Sequence, residues 1–211
     1  MSYEISHKTL YRYETPVVHS HQRLHLSPRT VDNQRVLSHT LLIEPAPTQR
    51  HDGRDAFGNP VVTLEIDRDH STFTVQALSR IELTPHAPVI PSSTTPWEQV
   101  RDRLRVGPAP FDIDVVQYAS ASRLTAPTLA VAEFAHESFT PGRPYVEAAF
   151  HLSCRIFREF KFDPTATDVS TPTAEVLRIR RGVCQDFSHL ALAAIRALKL
   201  PARYVSGYLL T

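Results

Sequence analysis

The hydrophobic period of this chain changes once along its length, and that change fixes which folds are open to it. From residue 2 to about residue 85 the pattern has period two. It runs through Tyr3, Ile5, His7, Thr9 and Tyr11, through Val36 to Ile43, through Val62, Leu64 and Ile66, and through Phe73, Val75 and Ala77 to Ile81 and Leu83. Alternation of this kind puts one face of a strand against a core and the other against water. Ser27-Pro28, Glu44-Pro45-Ala46-Pro47, Asp52-Gly53 and Gly58-Asn59-Pro60 separate the runs with turn chemistry. Regularly spaced short strands predict an antiparallel β-sandwich over residues 1–85. Beyond about residue 125 apolar residues recur at three- and four-residue steps, so the second half is helical. The fold class is therefore α+β.

Between the two halves, residues 86–124 read as a semi-rigid linker. Pro88, Pro91, Pro96, Pro108 and Pro110 punctuate it, following Pro85, with one short helix from Pro96-Trp97 to Leu104. Trp97, the only tryptophan, is expected to dock this segment on a domain. In the helical half, Ala126-Pro127 opens a run through Leu129, Val131, Phe134 and Ala135 that closes at Thr140-Pro141-Gly142. The next helix starts at Pro144, with Val146, Phe150, Cys154 and Phe157 on one stripe, so Cys154 reads as core packing. Thr171-Pro172 then reads as an N-cap followed by proline at the first helical position, and Gly182 ends that helix.

Arg180-Arg181-Gly182-Val183-Cys184-Gln185-Asp186-Phe187 carries the chemistry. A new helix begins there, buried through Phe187, Leu190, Ala191, Ala194 and Leu198, with Cys184 in its first turn. Backbone N–H groups without intrahelical partners point outward at such a terminus, and the helix dipole favours a thiolate or an oxyanion there. Asp186 belongs to the same turn. A carboxylate at that position caps orphan amides, so it reads as structural support for Cys184. Arg180 and Arg181 either raise the local potential or simply place cations in the last turn of the preceding helix. His189 lies about 140° round the helix and ~7.5 Å along it from Cys184, which excludes it as the base. His136 and His151 have no position that sequence alone can assign.

Composition removes several classes. Lys and Arg number 23 against 22 Asp and Glu, for a net charge of +1, so no basic excess points to nucleic acid. Met1-Ser2-Tyr3-Glu4-Ile5 lacks the basic start and apolar core by which a signal peptide is read, and no apolar run reaches the ~20 residues a spanning helix needs. Two cysteines without C-x-x-C spacing fit reduced thiols in a cytoplasm. His19, His21 and His25 share parity with Arg23, but no carboxylate or cysteine lies near them in sequence, so they read as a solvated face and no metal is assigned.

Gly182-Val183-Cys184-Gln185-Asp186-Phe187, followed by the run from Ala197 to Tyr208, resembles the core of the bacterial transglutaminase-like superfamily, which is papain-like. Tyr11-Arg12-Tyr13 and Leu24-His25-Leu26-Ser27-Pro28-Arg29 resemble the β domain that precedes that core in one bacterial branch. The resemblance implies that residues 125–211 are a transglutaminase-like core in which Cys184 forms a thioester with an amide or peptide carbonyl, with no cofactor. Hydrolysis is slightly favoured over transfer to an amine, and a non-catalytic binding module is the alternative. The expected partner is a peptide or protein amide, with neither nucleic acid nor membrane. In the family the histidine and aspartate come from strands after the region matching Val205 to Leu210, so they are expected beyond Thr211. The segment Arg203 to Leu210 is expected as a strand with a free edge, open to self-association.

Overall fold

A computed structural model describes residues 1–106 and 113–210. Pro108 and Pro110 of the expected linker, and Thr211, lie outside the described residues. The chain divides into two compact units, Met1–Pro88 and Val89–Thr211.

The first unit is an antiparallel sheet of β1 (Ser2–Leu24), β2 (Gln34–Glu44), β3 (Gln49–Arg54) and β4 (Pro60–Leu83). β1 runs along one edge of β4, from Ser2 opposite Glu82 to Leu24 opposite Val62. β2 and β3 share the other edge, β2 on residues 74–83 and β3 on residues 60–65. The sequence runs at 62–66 and 73–83 are thus one strand, and the histidines at 19 and 21 continue the strand that begins at Ser2. What hides this in the sequence is a change of phase. Val62, Leu64 and Ile66 are buried at even positions, whereas Phe73, Val75 and Ala77 are buried at odd ones. The register of β1 shifts between Arg12 and Val17 and again between Val17 and His19, opposite that crossover. An extra residue in a ladder re-aims every side chain beyond it, and Pro16, which lacks an N–H, sits where the ladder is interrupted. The two halves share one apolar cluster, in which Leu64, Ile66, Phe73 and Val75 meet Tyr13, Leu24, Leu41 and Ile43.

The second unit comprises α1 (Trp97–Val106), α2 (Ile113–Tyr118), α3 (Leu129–His136), α4 (Tyr145–Glu159), β5 (Lys161–Phe162), α5 (Thr173–Ile179), β6 (Arg181–Gly182) and α6 (Cys184–Ala197). Much of the proline-punctuated span belongs to this unit. Trp97 is buried in its core and its indole N–H donates to the Thr140 carbonyl at 2.9 Å. α3 is capped by Thr128, whose hydroxyl accepts from the Val131 N–H at 3.3 Å.

α4 turns the other way from the sequence expectation. Its buried face is Ala148, Leu152, Arg155 and Ile156, while Phe150 and Phe157 are 65% and 86% exposed and Cys154 is half-buried. Apolar residues line two sides of this helix, so periodicity finds both stripes and cannot rank them. Arg155 decides the matter. Its guanidinium bonds the Phe134 carbonyl at 2.8 Å, pairs with Glu137 and Glu159 at 2.8 Å each and lies over the Phe134 ring, so the charge is buried with its partners.

α6 packs against both α3 and α5. Leu190, Leu192, Ala193, Ala194 and Ile195 are all buried, and the small residues among them let α3 and α5 approach. At its far end Arg196 donates to the carbonyls of Tyr118 and Ala202 and to the Thr125 hydroxyl, which pins the chain after the helix. The expected strand from Arg203 to Leu210 is absent among the described residues, and all eight residues are exposed. A strand exists only where another backbone edge pairs with it, and none is present there.

Candidate active site

Two short elements aim the chain at Cys184. β5 and β6 pair in parallel, Phe162 opposite Gly182, and the Asp163 N–H donates to the Gly182 carbonyl at 2.9 Å. α5 stops two residues earlier than the sequence suggests. The stop is Arg180, in the left-handed region at φ 55°, and not Gly182. The strain at Arg180 is offset by its surroundings: the guanidinium donates to Glu159 at 2.6 Å and lies over the rings of Phe134 and Phe160. Pro172 is the N-cap of α5, while the Thr171 hydroxyl accepts from Asp168 N–H instead of capping.

Val183 is extended, and Cys184 follows as the first residue of α6, exposed to solvent. Asp186 is 5% exposed. Its Oδ2 accepts the Val183 N–H at 2.7 Å and the Thr167 hydroxyl at 2.6 Å. This is half of a capping box, because Val183 has no side-chain acceptor with which to answer it. These hydrogen bonds are those of a carboxylate that caps the first turn of the helix. The same carboxylate explains the glycine. A Cβ at residue 182 would stand 2.5 Å from Asp186 Oδ2, and the backbone there has φ +156°. Phe187 anchors the turn on Phe160, with ring centroids 5.8 Å apart.

The cations beside the motif are already engaged: Arg180 with Glu159, and Arg181 with Asp163 at 3.3 Å. They belong to the scaffold of the turn. No histidine is hydrogen-bonded to Cys184 among the described residues. His189 is half-buried against Tyr204, ring centroids 5.7 Å apart, and burial pushes its imidazole below the ordinary value while Asp186 pulls it back. His151 bonds the Ser138 hydroxyl at 3.1 Å, and His136 sits edge-on to Trp97 at 6.3 Å. Cys184 stands exposed at a helix N-terminus, where the backbone N–H groups have no intrahelical partners.

In the first unit, His19 faces Asp67 at 3.6 Å, His21 bonds Glu65 at 2.5 Å and His25 approaches Asp55 at 3.7 Å. The carboxylates that sequence reading found missing are supplied across the sheet, from β4 and the turn before it. Among the described residues no three such groups converge as a metal site. No helix among them is long and apolar enough to cross a membrane. Thr167 escapes sequence reading, since it lies in a loop and meets the motif only through its hydroxyl, which donates to Asp186 Oδ2.

Comparison with known proteins points to both halves of the chain. Residues 3–82 match the bacterial transglutaminase-like N-terminal region, and residues 132–211 match the transglutaminase-like superfamily. Uncharacterized proteins of Mycobacterium tuberculosis and Mycobacterium bovis are 38% identical over 216 residues, covering 99% of this chain and 66% of their own length. One from Mycobacterium leprae is 29% identical over 205 residues, covering 97% of this chain and 70% of its own. A crystal structure of a candidate cysteine protease from Cytophaga hutchinsonii superposes with TM-score 0.72 at 17% identity, over 95% of this chain and 65% of that one. The chain thus spans about two thirds of the length of these relatives.

Proposed function

Because the chain belongs to the bacterial transglutaminase-like superfamily, we propose that it carries the nucleophile of a cysteine-dependent acyl-transfer enzyme acting on peptide or protein amides. The observation that carries this reading is the placement of Cys184, exposed, at the first position of an enclosed helix whose N-terminal turn is fixed by Asp186.

In the proposed reaction the Cys184 thiolate attacks the carbonyl carbon, and the developing oxyanion is met by the Cys184 N–H. The carbon–nitrogen bond then breaks and the amine leaves with a proton from a general acid, giving a thioester on Sγ. Water cleaves the thioester, releasing the carboxylic acid and restoring the thiol; an amine in place of water would give transamidation. Hydrolysis is favoured because the sulfur is open to solvent. The helix terminus supplies only about 0.3–1 kcal/mol toward the thiolate, less than one unit of pKa, so a histidine is required as well. The histidine and its carboxylate partner are assigned to the portion that the longer relatives carry beyond the aligned region.

The test is a search for an acyl adduct on Cys184 by mass spectrometry, after incubating the full-length protein with peptide amides and quenching in acid. An adduct that disappears in Cys184→Ala, together with product acid, is the expected result. Turnover that survives Cys184→Ala defeats the proposal. A Cys184 that alkylates readily yet never acylates marks the fold as a binding scaffold.

A further inference from the structure

Two separate stretches of chain meet at one oxygen beside Cys184. Asp186 Oδ2 lies on the first turn of α6, Val183 N–H belongs to the junction before it, and the Thr167 hydroxyl comes from the loop between β5 and α5. That loop is itself ordered by its own carboxylates. Asp163 Oδ1 accepts from the backbone and hydroxyl of Thr165, and Asp168 Oδ1 accepts from those of Ser170. Thr167 sits between these two turns, half-buried, as the loop's donor to the carboxylate.

We propose that Thr167 is a positioning residue for the Cys184 sulfur, acting through Asp186; the proposal rests on Cys184 being the reacting group. On the Val183 bond alone Asp186 would be held less firmly. A carboxylate with one donor can rotate about its Cα–Cβ and Cβ–Cγ bonds. Two donors from different segments fix both the rotamer and the oxygen that faces Val183. The hydroxyl also draws charge from a carboxylate two residues from the thiol, and that charge opposes thiolate formation. Losing the hydroxyl would therefore act twice, loosening the turn and leaving more uncompensated negative charge beside the sulfur.

Sequence position hides this role. Thr167 stands far from the cysteine motif, in a stretch whose threonines and serines otherwise close local turns. The fold makes the connection, because the parallel pairing of Phe162 with Gly182 lays the start of the loop alongside the segment that enters Cys184.

The experiment uses the full-length protein and reads iodoacetamide alkylation of Cys184 and Cys154 separately by peptide mapping, from pH 6 to pH 10, for wild type, Thr167→Val and Thr167→Ser. The charged and titratable groups on the surrounding elements are Asp186 and His189 on α6, Arg180 and Arg181 before it, and Lys161, Asp163 and Asp168 opposite. All of them are unchanged in both variants. Thr167→Val should slow Cys184 alkylation at neutral pH about threefold to tenfold and move its midpoint to higher pH, as expected for one lost hydrogen bond. Cys154 should not respond, and Thr167→Ser should return Cys184 to within about twofold of wild type. An unchanged Cys184 profile in Thr167→Val overturns the proposal. So does a serine variant as impaired as the valine one, or a rise in the reactivity of both cysteines, since either would mean that only packing was lost. Alkylation that follows the expected pattern in a protein that turns over no amide upholds the positioning role while refuting the enzymatic one.

Discussion

Gly182→Ala is the sharpest perturbation of the nucleophile's turn, because the added methyl has a defined obstacle. It would be placed 2.5 Å from Asp186 Oδ2, 3.0 Å from its Cβ and 3.1 Å from its Cγ, and the carboxylate tip is held in place by Val183 and Thr167. The alanine must also adopt φ +156°, at a backbone cost of about 1–3 kcal/mol. If Asp186 gives way, its bonds to Val183 and Thr167 go with it, costing a further ~1.5–3 kcal/mol for bonds to a charged acceptor. The sum is about 2.5–6 kcal/mol, a large share of the ~5–15 kcal/mol that holds a domain folded. Guanidinium unfolding of wild type, Gly182→Ala, Asp186→Ala and the double variant reads it directly. The clash belongs to the pair, so the glycine substitution should cost about 1.5–3 kcal/mol less when residue 186 is already alanine. Equal cost in both backgrounds would show that Asp186 is not the obstacle. A cost below ~1 kcal/mol in the single variant would refute the geometry altogether.

Leu152→Ala should cost about 2–5 kcal/mol in the same assay whereas Phe157→Gln costs under ~0.5, and the reverse order would mean that α4 is buried on its other side. His151 is held below the ordinary value of 6.5 by burial and then by Arg143, Arg155 and Arg158, so its neutral form is the one the fold favours. The stability it contributes is complete above pH ~6.5 and declines as pH falls through its lowered folded value, so His151→Gln should flatten the loss of stability between pH 7.5 and pH 5.5; an unaltered slope counts against it. Val205, Leu209 and Leu210 are more than three-quarters exposed, and we expect them to drive concentration-dependent association of the 211-residue chain. Light scattering should show the association reduced when all three are replaced by serine, and a monomer at every concentration would remove the idea.

The change of period located both halves, because alternation and helical spacing report on burial one residue at a time. What escaped it depends on partners distant in the chain. The re-phasing between Ile66 and Phe73 needs the bulged strand opposite, and the helix stop at Arg180 needs Glu159, Phe134 and Phe160 to hold a left-handed arginine. On α4 two apolar stripes competed, and a buried charge, Arg155, marks the inner one against the usual expectation for charged residues. That Cys184 and Asp186 open a helix was legible because a helix start is a local event. Thr167 was not, because its contribution exists only once the loop has folded back on the motif. The strand expected at 203–210 fails for a related reason: its residues have strand character, but a strand also needs a neighbour.

One consequence of the sheet's layout concerns how the protein is made. Among the described residues every ladder of the first unit includes β4, and β4 is the last of its strands to be synthesised. Ser2 waits for Glu82 and Leu24 for Val62, so nothing translated before residue 60 can begin the pairing seen in the finished sheet. At roughly 5–20 residues per second that is an interval of seconds, during which a long edge carrying tyrosines and leucines is out of the ribosome and unpaired. Closure then has to span nearly the whole unit, which makes it a slow, non-local event. Codon choices that slow elongation before residue 83 would lengthen the time for which β1 lacks its partner strand.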